Sequence, residues 1–312
     1  MTASSGNPSV IDILRQRAAA RTVPPHGDGH SVALCVEGGA MRGVVSAGMV
    51  TGLEQLGMTT AFDAVYGSSA GAFNSAYFLA GQAALGTRIY SEDINGHAFI
   101  DMKRAFGPRP IVDLDFLVDE VMTRRKPLDV ARVIASPTAF TVLVTDADST
   151  EPVALRQFTS RDEIFAAMRA SSTMPVMAGG PSAFRGRTYV DASLTEPVPV
   201  PTAEADGHTH ILVLLSRPGG HRRSLSALIE RIYVTHTLRK QSPALAKKFA
   251  ERGRPYAALI EAMATGRGPC GRAAVQVLRP ASSSVGKLEC RRDVLERAGR
   301  EGVDMVREAF RP

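Results

Sequence analysis

The chain contains no tryptophan, and aromatic residues fill only 6% of its 312 positions. It therefore lacks the aromatic-interleaved basic platform on which single-stranded nucleic acid stacks, and nucleic acid is not an expected partner. Cysteine is scarce too: Cys35, Cys270 and Cys290 lie far apart and form neither a Cys-x-x-Cys pair nor a Cys/His cluster. That spacing argues against a zinc site, and an odd, sparse count suits a reducing compartment. No apolar run is long enough to span a bilayer. Residues 1–30 lack the apolar core of a signal peptide. The expectation is a cytoplasmic protein whose membrane contact, if any, is peripheral.

What is present is ordinary for a globular protein: 44% hydrophobic and 22% charged residues, enough for a sizeable core. The length fits one large domain, or one domain with an extension. The formal net charge is +6 and the isoelectric point about 9.5. Such a balance suits an anionic surface, although a solvated arginine-rich exterior is the plainer reading.

Residues 1–30 read as a polar segment with a short helix from Val10 to Arg21 and a linker at Pro24-Pro25-His26-Gly27-Asp28-Gly29. Ser31 to Glu37 is a continuous apolar run of strand length, as expected of a strand covered on both faces, with Cys35 as a small core residue. Gly43 to Gly57 follows with Val45, Met49, Leu53 and Leu56 at helical spacing. A second strand, Phe62 to Tyr66, precedes an Ala-rich helix from Ala70 to Ala80. Strand, helix, strand, helix is the start of a parallel α/β sheet. Further strands are predicted at Phe140–Thr145, Pro152–Phe158, Thr188–Val190 and His210–Ser216, with helices at Asp115–Met122 and Asp162–Ser171. Beyond Arg217 the chain reads as helical and basic.

Gly67-Ser68-Ser69-Ala70-Gly71 sits between the second strand and its helix. A serine on so tight a turn is held up from the sheet, and small neighbours make the turn possible. Ser69 is the candidate nucleophile; a plain strand–helix turn is the alternative. One unit earlier, Glu37-Gly38-Gly39-Ala40-Met41-Arg42-Gly43 is a glycine-rich loop that exposes backbone N–H groups to an anion. It lacks both phosphate-loop fingerprints, which favours an oxyanion hole over a nucleotide cradle. None of the seven histidines has a distinctive setting; His208 and His210 read as solvated loop residues, with a base or half a metal site as the alternatives. Asp191, which ends the strand Thr188–Val190, is the alternative base. Asp146 and Asp148 read as turn residues rather than cation ligands, and no metal is expected.

The order of these three elements resembles the patatin-like phospholipase family, bacterial branch. Ala170-Ser171-Ser172-Thr173-Met174-Pro175 and Thr188-Tyr189-Val190-Asp191 followed by Glu196-Pro197-Val198-Pro199 also resemble that family's segments. The resemblance covers roughly residues 32–217. It implies a three-layer α/β/α fold with a mainly parallel sheet, a catalytic domain over 31–217 and a helical basic extension over 218–312. It implies a lipid acyl hydrolase of phospholipase A, lysophospholipase or esterase type, acting on a lipid or fatty-acyl ester without a cofactor. Ser69 and Asp191 would form a dyad, with Gly38, Gly39, Ala40 and Ala70 as the oxyanion hole. Arg42 and Gly43 would support the loop, and Gly67 and Gly71 the elbow. Ala40 and the pair Ala192-Ser193 stand where the family has glycine. The competing readings are a malonyl-carrier type acyltransferase, a non-catalytic lipid-binding member and a nucleotide-binding protein.

Met168, Met174 and Met177 read either as an acyl groove or as core. Residues 91–137 are the candidate lid. In the extension, Leu225, Leu228, Ile229 and Ile232 make one apolar stripe, and Leu288, Leu295, Ala298, Gly302, Met305 and Ala309 another. Those stripes are either a membrane-binding surface or the packed side of helices lying on the catalytic domain.

Overall fold

The computed structural model describes residues 8–219, 225–282 and 285–311, without the side chains of residues 225–231 and 233. Eight strands of the described residues form one sheet: β1 (Val32–Val36), β2 (Ala64–Ser68), β3 (Ala139–Asp146), β4 (Pro152–Leu155), β5 (Ser182–Phe184), β6 (Arg187–Val190), β7 (His210–Leu214) and β8 (Ala274–Leu278). Their order is β5-β6-β3-β2-β1-β7-β8, with β4 paired to β3 off that path. The pairs from β3 through β2, β1 and β7 to β8 are parallel; β4, β5 and β6 pair antiparallel.

The helices are α1 (Val10–Ala20), α2 (Gly43–Gln55), α3 (Ala70–Leu79), α4 (Ala83–Glu92), α5 (Val130–Ala135), α6 (Arg161–Ser172), α7 (Val200–Ala205), α8 (Leu225–Gln241), α9 (Pro243–Glu251), α10 (Gly253–Ala264) and α11 (Arg292–Ala309). Residues Phe116–Arg125 wind as a π-helix where an ordinary helix is predicted. Serine caps start α1, α6 and α9: Ser9, Ser160 and Ser242 accept the N–H groups of Asp12, Glu163 and Leu245.

Alternation along the strands splits the core in two. Leu34, Val36, Val65, Val142 and Leu212 pack with residues of α2, α3 and α11. Cys35, Tyr66, Leu143, Ile211 and Val213 pack with Val200 and Ala203 of α7 and Leu259 and Met263 of α10. Helices thus cover both faces, giving the three-layer α/β/α architecture and accounting for the uninterrupted apolar strands.

Two features of the chain ends were not predicted. The N-terminal helix is docked: Val10, Ile13 and Leu14 join the main core, and buried Arg17 pairs with Asp28 at 2.7 Å and Asp63 at 2.8 Å. Beyond Arg217 the chain also supplies β8, which extends the sheet past β7. The stripe on α11 faces α2, where glycines permit close approach. A Cβ on Gly48 would overlap the Gly299 carbonyl, and one on Gly302 the Val45 carbonyl. Leu295 and Ala298 are accordingly buried. The side chains of Leu225, Leu228 and Ile229 lie outside the described residues, as does His221.

Candidate active site

The turn from β2 into α3 is built by close contact. A Cβ on Gly67 would sit 2.5 Å from Cα of Ala72, and one on Gly71 would overlap the Val36 carbonyl. Between them Ser69 takes φ 54° and ψ −127°, a conformation L-residues rarely adopt and one that costs about 1–3 kcal/mol. Such a turn persists when its surroundings determine it. The Ser69 N–H donates to Ser171 Oγ at 2.8 Å, and that hydroxyl donates to the Leu143 carbonyl at 2.6 Å, pinning the turn to β3. Ser171 belongs to a segment the sequence singled out without assigning it a task.

The Ser69 hydroxyl donates to Asp191 Oδ2 at 2.9 Å. Asp191 follows β6 directly. Its other oxygen accepts the Ser193 N–H at 2.7 Å, its own N–H donates to the Thr173 carbonyl, and its carbonyl accepts from Thr145 Oγ1. The replacements Ala192 and Ser193 form a short 3-10 turn, Ala192–Leu194, that keeps this carboxylate in place. Ser69 and Asp191 are 8% and 3% exposed. Burial raises the Asp191 carboxyl above its ordinary value near 3.8, against the pull of the Ser193 N–H, the Ser69 hydroxyl and the Arg252 charge. A carboxylate so placed is a stronger proton acceptor than one in water.

The glycine loop lies against this pair. Added to Gly38, a Cβ would come 2.7 Å from Cβ of Ser69. Gly39 has φ 153° and Ala40 φ 53°, so Ala40 holds a left-handed conformation where glycine is the easier residue. Gly38, Gly39, Ala40 and Ala70 all line one cavity with Ser69 and Asp191. Among the described residues, their N–H groups have no protein acceptor. Gly43 leaves no space for a side chain, because a Cβ would lie 2.6 Å from the Tyr90 hydroxyl; its carbonyl accepts from Asn74 Nδ2 at 2.9 Å. Arg42 is buried in the 3-10 turn Ala40–Arg42 and also lines the cavity.

A brace holds the loop from about 180 positions along the chain. Buried Glu37 accepts the Ser216 N–H at 2.7 Å and two bonds from Arg217, at 2.8 and 2.6 Å. Ser216 Oγ also donates to the Gly38 carbonyl at 2.6 Å, and the Arg217 guanidinium stacks 3.8 Å from the centre of the Tyr256 ring. Sequence reasoning missed this brace. The available signal was a glutamate just past β1 and an arginine just past β7, two strands that are neighbours in the sheet.

The cavity measures about 750 Å³. Ile94, Ile100, Leu114, Leu117 and Met122 give it apolar lining, so the candidate lid region forms part of its wall. Met174 and Met177 line it as well, whereas Met168 lies in the core. Arg252, Tyr256, Arg279 and Lys287 line it from the C-terminal region. No described histidine lines the cavity. His208 bonds Tyr66 and Ser31 instead, at 2.9 and 2.8 Å. Asp146 accepts the Asp148 and Ser149 N–H groups in a turn and pairs with Arg187. The described residues contain no metal-holding cluster, and no described helix is long and apolar enough to cross a membrane.

Fold and site together define a three-layer α/β protein with a buried serine–aspartate pair on a strand–helix turn beside a glycine loop. The chain belongs to the patatin-like phospholipase family, whose model matches residues 34–204. It is 26% identical over 190 residues to the uncharacterized protein YjjU of Escherichia coli strain K12, a match covering 60% of this chain and 52% of the relative. The chain thus spans about half the length of that curated relative. Among solved structures it is similar to VipD from Legionella pneumophila, with 11% identity and a TM-score of 0.42, covering 90% of this chain and 66% of the other. It is also similar to human GIVD cytosolic phospholipase A2 in complex with methyl gamma-linolenyl fluorophosphonate, with 13% identity and a TM-score of 0.41, covering 96% and 62%.

Proposed function

We propose that this protein is a serine hydrolase of lipid acyl esters that works through a Ser69–Asp191 dyad and an acyl-serine intermediate. Ser69 Oγ attacks the ester carbonyl carbon while its proton passes to Asp191 Oδ2. The oxyanion is held by the N–H groups of Gly38, Gly39, Ala40 and Ala70, which have no acceptor within the described protein. Collapse of the tetrahedral intermediate expels the alcohol, which takes the proton from Asp191. Water then attacks the acyl-serine, giving its proton to Asp191, and the acid departs as Ser69 recovers a proton.

The observation that carries this reading is the 2.9 Å hydrogen bond from a strained, buried serine to a buried carboxylate. The apolar residues lining the cavity favour a long acyl chain over a short one. A carrier-type acyltransferase is disfavoured: Ser68 fills the position where such enzymes place a histidine, and its hydroxyl donates to the Glu196 carbonyl at 2.9 Å. The test is hydrolysis of nitrophenyl esters of increasing chain length by wild type, Ser69→Ala and Asp191→Asn. Activity is expected to rise with chain length and to vanish in both variants. Activity that survives both would overturn the dyad.

A further inference from the structure

We propose that the loop from Asp101 to Arg109 docks the protein on a lipid surface bearing anionic headgroups. Phe106 is 96% exposed and Met102, in the same 3-10 turn Met102–Phe106, is 55% exposed. Lys103 and Arg109 are exposed around them, and neither pairs with a carboxylate among the described residues. An apolar tip with two exposed cations on the same loop matches the interior and headgroup layer of such a surface.

The tip is presented by a built scaffold. Asp101 N–H donates to the Ile111 carbonyl at 3.0 Å and Asp113 N–H to the Phe99 carbonyl at 2.9 Å, which closes the base. The Arg104 guanidinium bonds Asp113 at 3.4 Å and the His97 and Ala98 carbonyls at 3.1 Å, so this cation is spent on the loop itself. Asp101 accepts the Lys103 N–H at 2.9 Å and starts the turn. Both legs of the loop continue into the cavity: Phe99 and Ile100 on one side, Val112 and Leu114 on the other, are part of its apolar lining. A tip seated in a lipid layer therefore joins that layer to the cavity assigned to the acyl chain. The packed stripe on α11 offers no such surface, since α2 already covers it.

The choice of lipid as partner rests on the proposed hydrolase reading, so binding is measured apart from hydrolysis. The chain has no tryptophan, and Phe106→Trp in a Ser69→Ala background gives a single fluorescent reporter that cannot turn over lipid. With phosphatidylcholine vesicles containing phosphatidylglycerol its emission is expected to shift to the blue, and the shift should weaken as salt is raised. In vesicle sedimentation, Phe106→Ala combined with Met102→Ala lowers partitioning roughly tenfold or more, and Lys103→Gln or Arg109→Gln lowers it about fivefold. Phe106→Ala hydrolyses a short soluble ester as wild type does. Unmoved emission, or Phe106→Ala/Met102→Ala partitioning equal to the parent's, overturns the docking role and leaves the dyad untouched. Vesicle binding without ester hydrolysis in wild type overturns the dyad and leaves the docking role standing.

Discussion

Two strand-to-helix turns meet at the site, and they are held in different ways. Each puts a residue with a side chain in a conformation glycine adopts more easily: Ser69 at φ 54° between β2 and α3, and Ala40 at φ 53° between β1 and α2. The first turn is locked by the backbone contacts of Gly67 and Gly71 and by the hydrogen bonds from Ser69 through Ser171, 102 positions away, to β3. The second is locked by Glu37 gripping Ser216 and Arg217, about 180 positions away. The elbow thus depends on packing and neutral hydrogen bonds, the glycine loop on a charge pair whose glutamate is buried.

Breaking the dyad gives the largest expected effect. Ser69→Ala and Asp191→Asn each lower kcat/KM roughly ten-thousand-fold, the scale on which triad members act in other serine enzymes. Steady-state assays with folding checked by circular dichroism measure this. Breaking the brace comes next. Glu37→Gln leaves the partly exposed Arg217 without its charge partner and costs about 2–3 kcal/mol in denaturant unfolding. Ser171→Ala leaves the Ser69 N–H unsatisfied and costs about 1–3 kcal/mol. A larger loss from Ser171→Ala than from Glu37→Gln would reverse the contrast between the two turns.

The pH dependence sharpens the comparison further, because only the elbow's serine bonds a group that must titrate. In the proposed mechanism Asp191 has to be ionised to accept the proton, so the acid limb of kcat/KM is expected above the ordinary aspartate value near 3.8. Arg252→Gln removes a positive charge that favours the ionised form, and the limb moves up again. Stability runs the other way. Because the folded-state value is raised, the contribution of Asp191 is fully present below the unfolded value and is lost as pH rises through the folded one. Asp191→Asn removes that dependence, as unfolding curves across the acid range would show. The smallest effect belongs to Ala40→Gly, which relieves a left-handed alanine against added chain entropy and stabilises by about 1 kcal/mol or less with activity retained.

Much of this was legible in the residues. The strands from Val32, Phe140 and His210 could be read because burial on both faces makes them continuously apolar. Ser69 and Asp191 were singled out by local motif, and the structure brings them together. The family pattern drew attention to Ala40, but only the backbone angle shows that its methyl costs something. What stayed hidden depends on distant partners. No local signal joins Glu37 to Arg217 or gives Ser171 its two hydrogen bonds. β8 lies in a basic stretch where a single edge strand is five residues long. The exposure of Phe106 is a property of the folded loop, since nothing in Met102-Lys103-Arg104-Ala105-Phe106 says which side chains will be covered.

The central claim is that Asp191 activates Ser69, and covalent labelling tests it most directly. Incubation with a long-chain fluorophosphonate, followed by intact-protein mass and peptide mapping, reads the reactive group without knowledge of the natural lipid. The account predicts one adduct per chain, carried by Ser69, absent in Ser69→Ala and formed far more slowly in Asp191→Asn. An adduct elsewhere, or labelling of Ser69 at the same rate in Asp191→Asn, would contradict it.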